Sequence, residues 1–339
     1  VLPPRRRSAR TESLWTLGIF IVGSILLVCV IESQRPEWCD REYQVRKETL
    51  NDRIAEDPER PVMLFVGSSR TVVAFMPERL PPLITPDGKE AIVFNYSHFG
   101  AGPKMNMIQV HRALRDGVHP KWVVLELVPG FLAHDDLPYK DMTLADIPVI
   151  YEYSNGPRLI AQSARVRVGG IYRTRTSFLR WAAPDFVTKS AADREVKLHS
   201  LGGDNDFGRL DTLTERDRAG LTGLAVGRFK KRMENFKIDP LLARTMNDLV
   251  AFCQSQGINV GVVLTPEDSR YLSWQRPGTD ELISEYVNEL RTRFQIPVID
   301  ARRWIADDGF SDPHHVNTRG AKEFTDRLEK ELLRGMIER

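Results

Sequence analysis

The chain has 339 residues, 42% hydrophobic and 28% charged, with a formal net charge of +2. That length suits one large domain with insertions or two small ones, and the apolar content excludes a chain disordered over most of its length. A net charge so close to zero leaves no electrostatic footprint for nucleic acid, which is not expected as a partner.

Basic residues nevertheless gather at the start. Within residues 1–12, Arg5, Arg6, Arg7 and Arg10 precede an uncharged run over residues 13–31, SLWTLGIFIVGSILLVCVI. Its 19 residues approach the roughly 20 needed to cross a hydrocarbon core of about 30 Å. Arginines before the run and Glu32, Glu37 and Asp40 after it follow the positive-inside bias. The expectation is a single-pass membrane anchor with a cytoplasmic N-terminus and the globular part extracytoplasmic, in the periplasm or at the cell surface. A cleaved signal peptide is the rival reading, but such peptides have shorter apolar regions that end on small residues. This run ends in Cys29-Val30-Ile31-Glu32, and the bulky Val28 before Cys29 argues against a lipoprotein site.

Residues 33–60 are polar and charged and read as a juxtamembrane helix or stalk. From Pro61 onward strand and helix signals alternate. Short apolar runs rich in β-branched residues, bounded by Gly, Pro and Asn, are expected as buried strands at Val62–Val66, Ala91–Asn95, Trp122–Leu127, Asn259–Leu264 and Pro297–Asp300. Helical spacing connects Met105, Ile108 and Leu114 before Gly117, then Leu242, Met246, Leu249 and Cys253 before Gly257, and finally Ala321, Phe324, Leu328 and Leu332 after Asn317. Alternation of this kind predicts a three-layer α/β/α sandwich over residues 61–339 with a five-stranded, mainly parallel sheet.

Residues 134–237 interrupt the pattern and are too long for a plain loop. Helical pieces are expected near Pro157–Val168 and Leu221–Phe236. Arg165, Arg167, Arg173, Arg175 and Arg180 suit either a solvated helical insertion or a surface for an anionic glycan or lipid headgroup. Cys29, Cys39 and Cys253 show no metal-ligand spacing, and the nucleophilic serine chemistry to which the motifs point needs neither a metal nor an organic cofactor. A Cys39–Cys253 bridge has no positive support in the sequence.

In an open α/β sheet, ligands bind beyond the carboxyl ends of the strands. Ser69, Gly100, Gly130, Glu267 and the pair Asp312 and His315 all follow such ends. A hydroxyl, an imidazole to take its proton and a carboxylate to orient the imidazole are the three groups of nucleophilic serine catalysis. The ordered blocks Gly67-Ser68-Ser69, Asn95-Tyr-Ser-His-Phe-Gly100, Trp122-Val-Val-Leu-Glu-Leu-Val-Pro-Gly130 and Asp312-Pro-His-His315-Val-Asn317 resemble the SGNH (GDSL-like) hydrolase superfamily. The resemblance covers about residues 61–335 outside the insertion.

The resemblance implies a flavodoxin-like fold and an esterase or O-acyltransferase acting on acylated glycans or lipids. It makes Ser69 the nucleophile, with Ser68 as the alternative, His315 the base ahead of its neighbour His314, and Asp312 the orienting acid. The amide of Ser69, that of Gly100 (or its neighbour Gly102), and the position of Gly130 would hold the oxyanion. Two positions depart from the family pattern: Ser68 replaces an Asp, and Gly130 replaces an Asn that supplies a side-chain donor. An Asn at 130 is expected to be tolerated if the loop can place its amide. Glu267, Arg70 and Asn95 are candidate substrate contacts, with a solvated loop acid and a surface salt bridge as the plainer readings of Glu267 and Arg70. Transfer, rather than hydrolysis, would require a multi-spanning membrane partner supplying acyl groups. A non-catalytic glycan- or partner-binding domain is the alternative outside enzymology.

Overall fold

The computed structural model describes residues 9–338 apart from 36–37, 135–136, 184–185 and 187–213. Arg5, Arg6, Arg7, Glu37 and the centre of the insertion therefore lie outside the described residues. The chain divides into two compact units, Val1–Gln44 with Tyr139–Glu195, and Val45–Pro138 with Val196–Arg339.

The second unit holds the sheet. Its five strands are β1 (Val62–Val66), β2 (Ile92–Asn95), β3 (Trp122–Glu126), β4 (Asn259–Leu264) and β5 (Val298–Asp300). They run in the order β2-β1-β3-β4-β5, and every pairing is parallel. This is the doubly wound order in which the direction of winding reverses between β1 and β3. All of β1 and β3 is buried, which is why their sequences are continuously apolar rather than alternating.

One face of the sheet presents Met63, Phe65, Trp122, Val124 and Val263 to the C-terminal segment, where Phe324, Leu328, Leu332, Leu333 and Met336 complete a single core. The approach there is close enough to require glycine: a Cβ at Gly261 would sit 2.6 Å from the Met336 sulfur. Trp122 Nε1 donates to the Met336 carbonyl at 2.8 Å, so its one polar atom is satisfied inside that core. Elsewhere the helices Pro103–Arg115 and Pro240–Ser255 pack on each other, with His111 stacked on Phe252 at 4.0 Å. Asp239 caps the second of these helices by accepting from the amides of Leu241 and Leu242. The Asp239 N–H itself donates to the Leu132 carbonyl at 2.9 Å. The two ends of the long excursion between β3 and β4 thus meet.

The helix Arg41–Glu56 occupies the predicted stalk, but it is packed rather than free. Leu50 and Arg46 are buried, and Arg46 Nη1 donates to the Asn95 carbonyl at 2.8 Å at the end of β2.

The first unit is built on the apolar helix Ala9–Gln34, 26 residues long and about 39 Å at 1.5 Å per residue, long and apolar enough to cross a membrane. Against it pack the helices Gly156–Val168 and Gly170–Ala182. Arg167, buried, pairs with Glu32 at 2.8 Å. Glu32 also accepts the Leu144 amide at 3.0 Å. Cys29, Cys39 and Cys253 are all free thiols.

Candidate active site

β1 ends at Val66, and Gly67-Ser68 turns the chain into the short helix Ser69–Ala74. Gly67 is forced by crowding, since a Cβ there would lie 2.6 Å from both Glu126 Cβ and Thr71 Oγ1. Ser68 is the N-cap: its backbone is extended (φ −93°, ψ −170°) and its Oγ accepts the Arg70 amide at 3.2 Å. Its hydroxyl is buried and committed to that cap. Ser69 is the first helical residue and is only half-buried.

The partner groups arrive on a small antiparallel hairpin, β6 (Phe310–Asp312) and β7 (His315–Val316), in which Asp312 and His315 pair across the ladder. His315 Nε2 lies 2.9 Å from Ser69 Oγ, and Nδ1 lies 2.7 Å from Asp312 Oδ2. A carboxylate can only accept, so the proton sits on Nδ1 and Nε2 is left to accept from the serine hydroxyl. Asp312 Oδ1 receives the amides of His314 at 2.9 Å and His315 at 2.8 Å. Burial alone would raise the Asp312 pKa, but the hydrogen bonds and charge of the two histidines outweigh it and hold the acid well below the usual carboxylate range.

His314 does not face Ser69. Its ring packs 5.1 Å from that of Phe229 and 4.0 Å from that of His315, and burial, with His315 beside it, pushes its pKa down to about 3. Asp312, His314 and His315 also have ligating atoms within 4.8 Å of one another. Both Asp312 oxygens already accept N–H groups and His315 Nε2 addresses Ser69, so the hydrogen-bonded relay accounts for the cluster.

The three candidate substrate contacts are all buried and engaged with the protein itself. Asn95 is fully buried; its Nδ2 donates to the carbonyls of Thr71 and Phe75, both at 3.0 Å, and so pins the helix that begins at Ser69. Glu267 is not a solvated loop acid, because it is buried and accepts from Arg70 Nη1 at 2.9 Å. Arg70 is likewise no surface ion, with its guanidinium 4.6 Å from the centre of the Tyr271 ring and 5.5 Å from that of Phe229. Burial pushes the Glu267 carboxyl up, with Arg70 opposing. Burial also disfavours the Arg70 charge, but Tyr271 and Glu267 more than compensate, and Arg70 stays protonated.

The oxyanion candidates lie in two loops. Gly100 takes the left-handed φ of +75°, which a glycine adopts without strain, in a loop tied to the turn before Ser69 by the His98 amide donating to the Gly67 carbonyl at 2.9 Å. Gly130 is the second residue of the helix Pro129–Ala133, where backbone N–H groups lack intrahelical acceptors. A Cβ at Gly130 would lie 2.8 Å from the Tyr271 hydroxyl and 3.2 Å from Phe229. An asparagine there is accommodated only if the Tyr271 hydroxyl gives way.

Several residues around the site carry weight that sequence reasoning did not give them. Glu126, buried at the end of β3, accepts the Ser68 amide and, at 3.0 Å, the Thr265 hydroxyl. A carboxylate thus holds the Gly67-Ser68 turn from the neighbouring strand, although position 68 carries none. Its signal was present: one acid closing an otherwise apolar strand. Phe229 lies in a π-helical turn, Val226–Lys230, and its ring meets those of Phe131, Tyr271 and His314. Turns of this kind inside helices are frequent at functional sites.

The family described as "Protein of unknown function (DUF1574)" matches residues 16–151. No curated protein matches. A crystal structure from Bacteroides fragilis, provisionally described as an acylhydrolase, is similar at 10% identity and a TM-score of 0.39, over 85% of this chain and 98% of that one.

Proposed function

We propose that the chain is a membrane-anchored, extracytoplasmic serine esterase that cleaves O-acyl esters, acetyl in the simplest case, of envelope glycans or lipids. The observation that carries this reading is the continuous relay from Ser69 Oγ through the His315 ring to Asp312. Ser69 Oγ bonds to the ester carbonyl carbon as its proton passes to His315 Nε2. The negative oxygen is held by backbone N–H groups, those of Ser69, Gly100 and Gly130. The carbon–oxygen bond to the alcohol then breaks, and Nε2 returns the proton to the departing oxygen. Water attacks the acyl-serine, gives one proton to Nε2, and releases the carboxylic acid as the proton returns to Ser69. Asp312 keeps the imidazole in the right tautomer and stabilises its cationic form.

Transfer to an acceptor hydroxyl instead of water uses the same acyl-serine. It draws support from Phe131, Phe229 and Tyr271, buried rings grouped beside Gly130 and Arg70, which would shield an acyl group from water. In that case a multi-spanning membrane protein is the expected donor of acyl groups.

A fluorophosphonate probe should label the wild-type protein, and Ser69→Ala should abolish labelling. Labelling that survives the substitution places the nucleophile elsewhere. Wild-type protein that neither labels nor cleaves acetyl esters in its native membranes returns the fold to a binding role.

A further inference from the structure

We propose that the helices Gly156–Val168 and Gly170–Ala182 lie in the membrane interface beside the anchor, seated on anionic phospholipid headgroups. The first support is placement within the first unit. A Cβ at Gly170 would collide with Val28 Cγ2, and Arg167 is locked to Glu32, so the elbow between the two helices is fixed at the end of the apolar run.

Composition is the second. Residues 156–182 contain six arginines, at 158, 165, 167, 173, 175 and 180, and no acidic residue. Basic amphipathic helices bind the headgroup layer of anionic membranes, each Lys or Arg adding about 1 kcal/mol.

Exposure is the third. Ile160, Phe178, Leu179 and Trp181 are each more than 40% exposed, whereas among described residues of the second unit only Ile84, Leu224 and Val226 are exposed large hydrophobics. The rings of Phe178 and Trp181 cluster with Trp38, which follows the end of the anchor, at 6.3 and 6.1 Å. Aromatic rings of this kind concentrate at the level where lipid meets water.

The test uses the full chain in nanodiscs of phosphatidylcholine, with or without phosphatidylglycerol. A photoreactive benzoylphenylalanine replaces Ile160, Phe178, Val22 or Ile84 in turn. Val22, exposed on the anchor, reports insertion in every preparation, and Ile84 reports the water phase. Lipid adducts are expected at 160 and 178 as at 22, and not at 84. Phosphatidylglycerol should raise the yield at 178, and Arg158→Gln or Arg165→Gln should each reverse that gain by about five-fold. Adducts at 22 without any at 160 or 178 overturn the proposal. So does a protein adduct at 178 in native membranes in place of lipid, which would make this face a protein-docking surface.

Discussion

His314 sits between a carboxylate and a second imidazole, in a buried setting that opposes its protonation. Burial, with His315 alongside, lowers its pKa from 6.5 to about 3, so the folded chain leaves it neutral where an unfolded chain would protonate it. Between those values the unfolded state binds more protons, and stability must fall as the pH drops through that window. Asp312 adds a loss in the same direction further down: its folded pKa is depressed, so the stability it lends is present above about pH 3.9 and fades below it. His314→Gln should therefore flatten the decline in urea midpoint between about pH 6.5 and about pH 4; an unchanged slope would assign the effect to other groups. The Arg70–Glu267 pair makes a separate expectation. Glu267→Ala strands a buried guanidinium and should cost about 3–5 kcal/mol in urea unfolding, whereas Arg70→Met with Glu267→Leu should recover most of that loss. A double variant as weak as the single one would point to a packing defect instead.

At the level of elements, the turn between β1 and the helix Ser69–Ala74 is set by what has no side chain. Gly67→Ala must push either Glu126 or Thr71 aside, since both lie 2.6 Å from the new methyl. It is expected to cost about 1–3 kcal/mol and to lower kcat more than KM, measured with an acetyl ester and by thermal unfolding. Wild-type stability and turnover would show that the turn relaxes freely. The same elements show what a sequence can disclose. β1 was readable to the residue because it is an unbroken apolar run between breakers, and β4 because Asn259 opens a valine-rich run that Leu264 closes before Thr-Pro. β2, β3 and β5 shifted by one residue at an end, where ladder pairing decides the boundary. Ser69, Asp312 and His315 were legible because their order and their places after strands are local features, and their approach to 2.9 Å and 2.7 Å follows from the topology. Glu267 was not: Thr-Pro-Glu-Asp-Ser looks like exposed loop, and its burial depends on an arginine 197 positions earlier. Phe229 was hidden for a related reason, since a π turn breaks the 3.6-residue spacing by which helix faces are read.

For the molecule as a whole, the decisive coordinate is the membrane. The helix Ala9–Gln34 supports anchoring, and the arginines before it favour an extracytoplasmic sheet unit. Protease added to intact cells should then remove a C-terminal tag, while a tag at the N-terminus stays protected; the opposite pattern would invert the topology. One hydrogen bond bears on the molecule's history as well as its shape. Because the Asp239 amide meets the Leu132 carbonyl at 2.9 Å, the segment between them is closed at its base. Doubling the length of such a closed segment costs only about 0.6 kcal/mol in closure entropy. Descendants of this chain can therefore lengthen or shorten that excursion at little entropic cost, provided that Phe229 keeps its place against Arg70 and His314.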